Sequence, residues 1–181
     1  MATPASLPRP LILASTSIYR RELLERLRLP FSVVSPGVVE TPHPGDPPVD
    51  LSLRLACAKA RAVAVQHPGR GVVGSDQVAT IDGSPIGKPG NFDAALAQLQ
   101  AMQGKDVTFH TALAIDDGVT ARTAVVDTRC RLRTLTTRAL TAYLHAATPY
   151  DTAGSAKAEA LGIALMDRVD SVNDSPEMFL R

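Results

Sequence analysis

The sequence predicts an α/β domain with a mixed β-sheet, and three observations carry this. Short apolar runs alternate with segments of helical period, the order that βαβ units produce. An Asp82-Gly83 pair follows a strand-like stretch and reads as a hairpin turn, adding a hairpin to that pattern. A chain of 181 residues with 45% hydrophobic content has enough apolar side chains to bury a core of its own, as one domain or as one domain with two lobes.

The elements follow in order. Residues 1–10, with Pro4, Pro8 and Pro10, read as a loose tail. Leu11-Ile12-Leu13-Ala14 is a short buried strand, after which Ser15-Thr16-Ser17 offers hydroxyls where a helix begins. That helix carries Leu23, Leu24 and Leu27 on one face and ends before Pro30. Phe31 to Ser35 is a second strand, and Pro36 to Pro48 is a loop whose five prolines suit neither regular structure. From Val49 to Gln66, Leu51, Leu55, Ala58, Ala62 and Val65 repeat at helical spacing until Pro68-Gly69. Gly71 to Ile81 is a strand, and Pro85 to Pro89 leads into a helix with Asn91 as N-cap, an apolar stripe of Phe92, Ala95, Leu96, Leu99 and Met102, and Gly104 just past its end. Residues 106–116 and 119–133 form two antiparallel strands around Asp116-Asp117-Gly118. Thr136 caps a further helix with Leu135 and Leu140 as a hydrophobic staple, closed by Pro149, and a last strand is expected at Ile163 to Met166.

Composition narrows the function. With 19 Lys+Arg against 18 Asp+Glu there is no basic excess for a nucleic-acid polymer, although a small anion remains a suitable ligand. The N-terminus lacks the apolar core of a signal peptide and no apolar run reaches membrane-spanning length, so a soluble cytoplasmic protein is expected, with Cys57 and Cys130 as reduced thiols. There is no GxSxG elbow or HExxH zinc motif, and Gly83 to Pro89 fails as a P-loop because the spacing is short and Pro follows Lys88.

Six places are candidates for chemistry. Arg20 and Arg21 lie in a first helical turn, where the dipole disfavours cations unless an anion docks with them; the plainer alternative is that both face solvent. Asp76, in Gly74-Ser75-Asp76-Gln77, interrupts an apolar strand and must reach the sheet's end or meet a cation, because an unpaired buried carboxylate is costly. Lys59 follows the apolar face of its helix by one position, where a lysine can simply snorkel, while Lys88 is held in a stiff turn between Gly87 and Pro89. Glu40 in the Pro-rich loop, and Lys157 and Glu159 in the segment after Gly154, read as solvated unless a site gathers them. The four histidines show no ligand spacing and are expected to be structural or exposed.

Taken together, Ala14-Ser15-Thr16-Ser17 with Arg20-Arg21, Glu40-Thr41, Lys59-Ala60, Gly74-Ser75-Asp76-Gln77, Gly87-Lys88-Pro89 and Ala153-Gly154-Ser155 with Glu159 resemble the Maf family of nucleoside triphosphate pyrophosphatases, in order, over residues 11–170. Gly-Ser-Asp-Gln, in place of the Gly-Ala-Asp-Thr of the dTTP/UTP-cleaving branch, is similar to the branch acting on 7-methyl-GTP. The resemblance implies an elongated mixed sheet with flanking helices and two lobes around a nucleotide cleft, commonly in a homodimer. It implies hydrolysis between the α and β phosphates with a divalent metal, Mg²⁺ or Mn²⁺. By position, Asp76 is the proton acceptor, and Tyr19, Gln77 and Glu159 set specificity. Ser15, Arg20, Glu40, Lys59 and Lys88 match positions that handle phosphate and metal.

Those residue types suit the reaction. A triphosphate of about four negative charges needs cations on its phosphates and a water in line at the α phosphorus. A carboxylate is a weak base toward bulk water, so Asp76 is expected to work through metal-activated water with Glu40 helping to hold the metal. An aromatic face at Tyr19 and a carboxylate at Glu159 favour the positively charged ring of 7-methylguanine. Two departures stand out. Val39 occupies the position before Glu40 where the family usually has Asp, and after Asp170 the family's Gly-Leu-Pro-Leu segment and final helix are missing, which is expected to expose core surface. Competing readings are a pyrophosphatase for UTP, dTTP or another modified nucleotide, and a non-catalytic nucleotide-binding regulator of septum formation.

Overall fold

The computed structural model describes residues 10–43, 45–156 and 160–172. The expected tails therefore lie outside the described residues, apart from Pro10, Ser171 and Val172.

Seven strands and four helices are present in the described residues: β1 (Leu11–Ala14), α1 (Ile18–Glu25), β2 (Phe31–Val34), α2 (Pro48–Ala64), β3 (Gly71–Ile81), β4 (Ser84–Ile86), α3 (Phe92–Met102), β5 (Asp106–Asp116), β6 (Ala121–Leu132), α4 (Thr137–Ala147) and β7 (Met166–Val172). Short 3₁₀ turns occupy Ala153–Ser155 and Leu161–Leu165. The strand order is β2-β1-β3-β5-β6-β7, with β4 paired to β3. Pairing is parallel for β1 with β2 and with β3, and antiparallel for β3 with β4 and β6 with β7. The sheet is mixed, as the sequence predicts.

The chain divides into two compact units, one holding residues up to Gln77 together with Thr111–Val125, the other Val78–His110 and residues from Val126 onward. Strands β3, β5 and β6 contribute to both. In the first unit α2 buries Ala56, Ala60, Val63 and Ala64 against Ile12 and Ala14 of β1, Val72 of β3, and Ala112 and Ala114 of β5. These side chains are small, so the helix backbone comes close to the sheet. At Gly74 the approach is limiting: an added Cβ would stand 2.3 Å from the Ala56 carbonyl oxygen and 2.6 Å from the Ala60 nitrogen. In the second unit a larger core forms from Ala95, Leu99 and Met102 of α3, Leu140, Tyr143 and Leu144 of α4, and Val107, Phe109, Cys130 and Leu132 of the strands.

Local signals in the sequence account for much of this. Asn91 caps α3 by accepting from the Ala94 amide at 2.9 Å, and Thr136 caps α4 by accepting from Ala139 at 3.2 Å. Leu140 is buried and Leu135 packs on the same core, as a staple requires. Asp82 and Gly83, both at positive φ (50° and 77°), turn β3 into β4.

Three expectations need correction. The buried face of α2 is Leu51, Ser52, Leu55, Ala56, Lys59, Ala60, Val63 and Ala64, rotated from the stripe through Ala58, Ala62 and Val65. Lys59 thus belongs to the buried face and does not snorkel. Helix α1 has no fully buried residue, with Leu23 and Leu27 exposed, and ends at Glu25 before Arg28 enters the left-handed region at φ 54°. Finally, Leu161–Leu165 is a 3₁₀ turn and the last strand starts only at Met166, running on to pair Ser171 with Thr128.

Candidate active site

The site grows from the close approach of α2 to β3. With Ala56 and Ala60 seated over Gly74, Lys59 is carried to the strand two residues further on, where side chains of the same face recur. Its Nζ donates to Asp76 Oδ1 at 2.6 Å. Lys59 is 3% exposed and Asp76 7%, so this is a buried ion pair; either partner alone would be a large electrostatic cost. The carboxylate inside the apolar strand has met its cation.

Two further groups converge on the pair. Glu40 Oε1 lies 2.7 Å from the same Lys59 Nζ, on a side chain that is half exposed. Arg20 Nη2 stands 4.0 Å from Asp76 Oδ1. Arg20 reaches there from the first turn of α1, which Ser17 caps by accepting from the Arg20 amide at 3.4 Å. Ser15, buried at the end of β1, accepts from the Ser17 amide at 3.1 Å and fixes the loop between strand and helix. The two adjacent arginines divide their work: Arg21 turns outward to Glu25 at 2.9 Å, one helical turn along, while Arg20 faces the carboxylate. One buried acid, a half-exposed acid, two cations and a helix N-terminus thus share a small region of the first unit. Such a set favours a polyanion, since backbone N–H groups, ammonium and guanidinium all offer positive charge.

The loop that carries Glu40 is held by Arg54 of α2 and Asp46. Arg54 Nη2 donates to Asp46 Oδ2 at 2.6 Å and to the Thr41 carbonyl at 3.3 Å, and Asp46 Oδ2 also accepts from the His43 amide at 3.0 Å. The Arg54 guanidinium, helped by the His43 amide, holds the Asp46 carboxyl below the usual carboxylate value. This contribution to stability is present above the unfolded carboxyl's value and is lost as pH falls through the lowered one.

Other expected residues fall elsewhere. Tyr19 is half buried on α1, next to Arg20. Alternation along β3 puts Gln77 on the face opposite Asp76, where its Nε2 donates to Thr111 Oγ1 at 2.9 Å. Lys88 is an exposed residue of the second unit, in a short segment secured on either side: Gln98 Nε2 donates to the Gly87 carbonyl and the Gly90 amide donates to the Tyr150 carbonyl, at 2.9 and 3.0 Å. Lys157 and Glu159 lie outside the described residues.

Sequence reasoning passed over several polar contacts. Arg54 and Asp46 are one; no local pattern links a helix arginine to a loop aspartate. His110, in the second unit, bonds Asp127 through Nδ1 at 2.8 Å and Thr80 through Nε2 at 3.2 Å, a partnered structural histidine as expected of that residue type. Gly69-Arg70-Gly71-Val72-Val73-Gly74 spells the glycine spacing of a dinucleotide loop, but it leads into β3 rather than from a strand into a helix, so it has no phosphate-binding geometry. Burial pushes the Cys57 and Cys130 thiols up, with Asp116 and Asp170 adding to the effect, which makes both poor nucleophiles. An open groove lined by Arg21, Glu25, Leu29, Pro30, Phe31 and Val33 contains none of the clustered residues.

For a metal, no group of three or more His, Cys, Asp or Glu side chains is gathered among the described residues. Two carboxylates, Glu40 and Asp76, do converge on one ammonium. That hard-oxygen pair fits Mg²⁺, which is commonly held by one or two carboxylates together with substrate phosphates.

A mixed sheet here presents a buried carboxylate between cations and a helix N-terminus, an arrangement whose charges suit a phosphate-bearing ligand. The family model for Maf-like proteins matches residues 10–175, and the chain belongs to the Maf family. Among its relatives, the 7-methyl-GTP pyrophosphatase of Bordetella pertussis is 63% identical over 166 residues, covering 92% of this chain and 83% of that protein. The protein of the same name from Burkholderia thailandensis is 63% identical over 172 residues (92% and 80%), and that of Ralstonia nicotianae 57% over 164 residues (90% and 84%). No helix among the described residues is long and apolar enough to cross a membrane.

Proposed function

We propose that this chain hydrolyses the α–β phosphoanhydride of 7-methyl-GTP, giving 7-methyl-GMP and diphosphate. The observation that carries this reading is the buried Asp76 carboxylate bonded to Lys59 at 2.6 Å with Glu40 and Arg20 beside it; the substrate comes from the relatives' shared activity. In this reading Arg20 and Lys59 meet the phosphates, and the positive end of the α1 dipole favours a phosphate oxygen beside them. Substrate phosphate replaces part of the charge that Lys59 now compensates, which frees Asp76 to take the proton of the water attacking the α phosphorus. Glu40 and Asp76 would hold a divalent cation. When bound, that cation supplies Lewis acidity toward the phosphate oxygens.

Tyr19, on the same helical turn as Arg20, offers an aromatic face to the cationic 7-methylguanine ring, and Gln77 and Glu159 are the further positions taken to set base preference. Lys88 enters only through its place in Gly87-Lys88-Pro89. The reading includes a cytoplasmic homodimer acting on a free nucleotide rather than on a nucleic-acid polymer.

Diphosphate release over a panel of 7-methyl-GTP, GTP, UTP and dTTP tests it. The expected result is kcat/KM for 7-methyl-GTP at least about tenfold above GTP, a difference of roughly 1.4 kcal/mol in transition-state binding. A ratio near one discards the base preference, preference for UTP or dTTP moves the chain to the other branch, and tight binding without turnover makes it a regulator.

A further inference from the structure

We propose that Arg54 is a positioning residue for Glu40, tethering the Pro-rich loop to α2 so that the Glu40 carboxylate is presented to Lys59. The inference rests on the reading of Glu40 as part of the active site. Glu40 sits between Val34 and Pro48, where the described residues form no helix or strand, and its side chain is half exposed. A carboxylate on such a loop would spread over many conformations, and holding it in one costs conformational entropy that specific contacts must offset.

The structure supplies it at one guanidinium nitrogen. Arg54 Nη2 holds the Thr41 carbonyl, immediately after Glu40, and the Asp46 carboxylate, at 3.3 and 2.6 Å. Asp46 in turn closes the segment on itself: its Oδ2 accepts from the His43 amide at 3.0 Å and its own amide donates to the His43 carbonyl at 3.1 Å. Both ends of the 41–46 segment are therefore fastened to the helix that carries Lys59, five positions further along the same chain. One detail argues that this tether is kept for its geometry. Arg54 Nε is buried and has no hydrogen-bond partner among the described residues, a cost that an apolar side chain at this position would avoid. The arrangement accepts that cost while Nη2 makes both loop bonds.

The test is a double-mutant cycle read with 7-methyl-GTP at saturating Mg²⁺, together with amide hydrogen exchange. Arg54→Met keeps the apolar stem and removes both bonds. It is expected to lower kcat/KM by about tenfold, to speed exchange at the Thr41 and His43 amides, and to cost less than about twofold more when Glu40→Gln is already present. Asp46→Asn, which leaves Arg54 and its Thr41 bond in place, is expected to show the same non-additivity at about threefold, and serves if Arg54→Met does not fold. If Glu40→Gln is impaired but Arg54→Met and Asp46→Asn reduce activity by the same factor in either background, the tether acts only on stability and the proposal is overturned alone. If Glu40→Gln retains wild-type kcat/KM, the Glu40 assignment falls first and takes the positioning role with it.

Discussion

In the first unit α2 meets the sheet through Gly74, Ala56 and Ala60, and what lies beside those small residues is an ion pair. In the second, α3 and α4 meet their strands through Leu99, Met102, Leu140, Leu144 and Phe109, and the polar atoms among them are neutral: Ser155 Oγ donates to Gln98 Oε1, and Tyr143 OH donates to the Ser155 carbonyl at 2.9 Å. The difference is one of what close packing is for. Bulky side chains in the second unit contribute burial in proportion to their area, about 25 cal/mol per Å². Small ones in the first bury little. Their effect is to bring a helix near enough that an ammonium meets a carboxylate on the strand, so in the proposed reading stability and chemistry depend on the same backbone contact there and are separable in the other unit.

The widest break in that comparison should come from Gly74→Ala. A Cβ at 2.3 Å from a carbonyl oxygen leaves no side chain to yield, so helix and strand must separate. Urea unfolding is expected to show a loss of about 2–4 kcal/mol, and kcat/KM of the folded enzyme should fall by at least about tenfold as Lys59 leaves register with Asp76. Unchanged turnover would mean that the approach at Gly74 does not set the ion pair. Leu99→Ala removes a side chain that is 1% exposed in the larger core. Its loss in unfolding free energy should be similar, about 2–5 kcal/mol, yet kcat/KM corrected for the folded fraction should stay within about threefold of wild type. A large specific loss there would erase the contrast between the units.

How much of this was legible in the sequence follows from which forces are local. The caps at Asn91 and Thr136, the Asp82-Gly83 turn and the limits of β3 depend on near neighbours, and each was readable. So was the argument that Asp76 must either reach the sheet's end or meet a cation, because the desolvation cost of a carboxylate in an apolar strand does not depend on knowing its partner. The phase of α2 was not readable from apolar spacing, since alanines mark several faces of that helix and the buried one is chosen by the sheet. Gly74 held the missing signal: a glycine inside a strand often marks a backbone pressed against it. That would have pointed to a helix of small residues and, beside them, to Lys59. The Glu40 tether had no such marker, because Arg54 and Asp46 meet through the tertiary path of a loop. Leu23 and Leu27 misled in the other direction, offering an apolar face that the fold leaves exposed.

The proposed activity depends on Asp76 accepting the proton of the attacking water. Replacing Asp76 by Asn keeps the size and most hydrogen bonds of the side chain and removes its basicity. Diphosphate release from 7-methyl-GTP at saturating Mg²⁺ or Mn²⁺ should then fall by about two to four orders of magnitude in kcat, with the protein still folded by circular dichroism. Turnover by Asp76→Asn at the wild-type rate would contradict the central claim and return the cluster around Lys59 to the role of a structural ion pair.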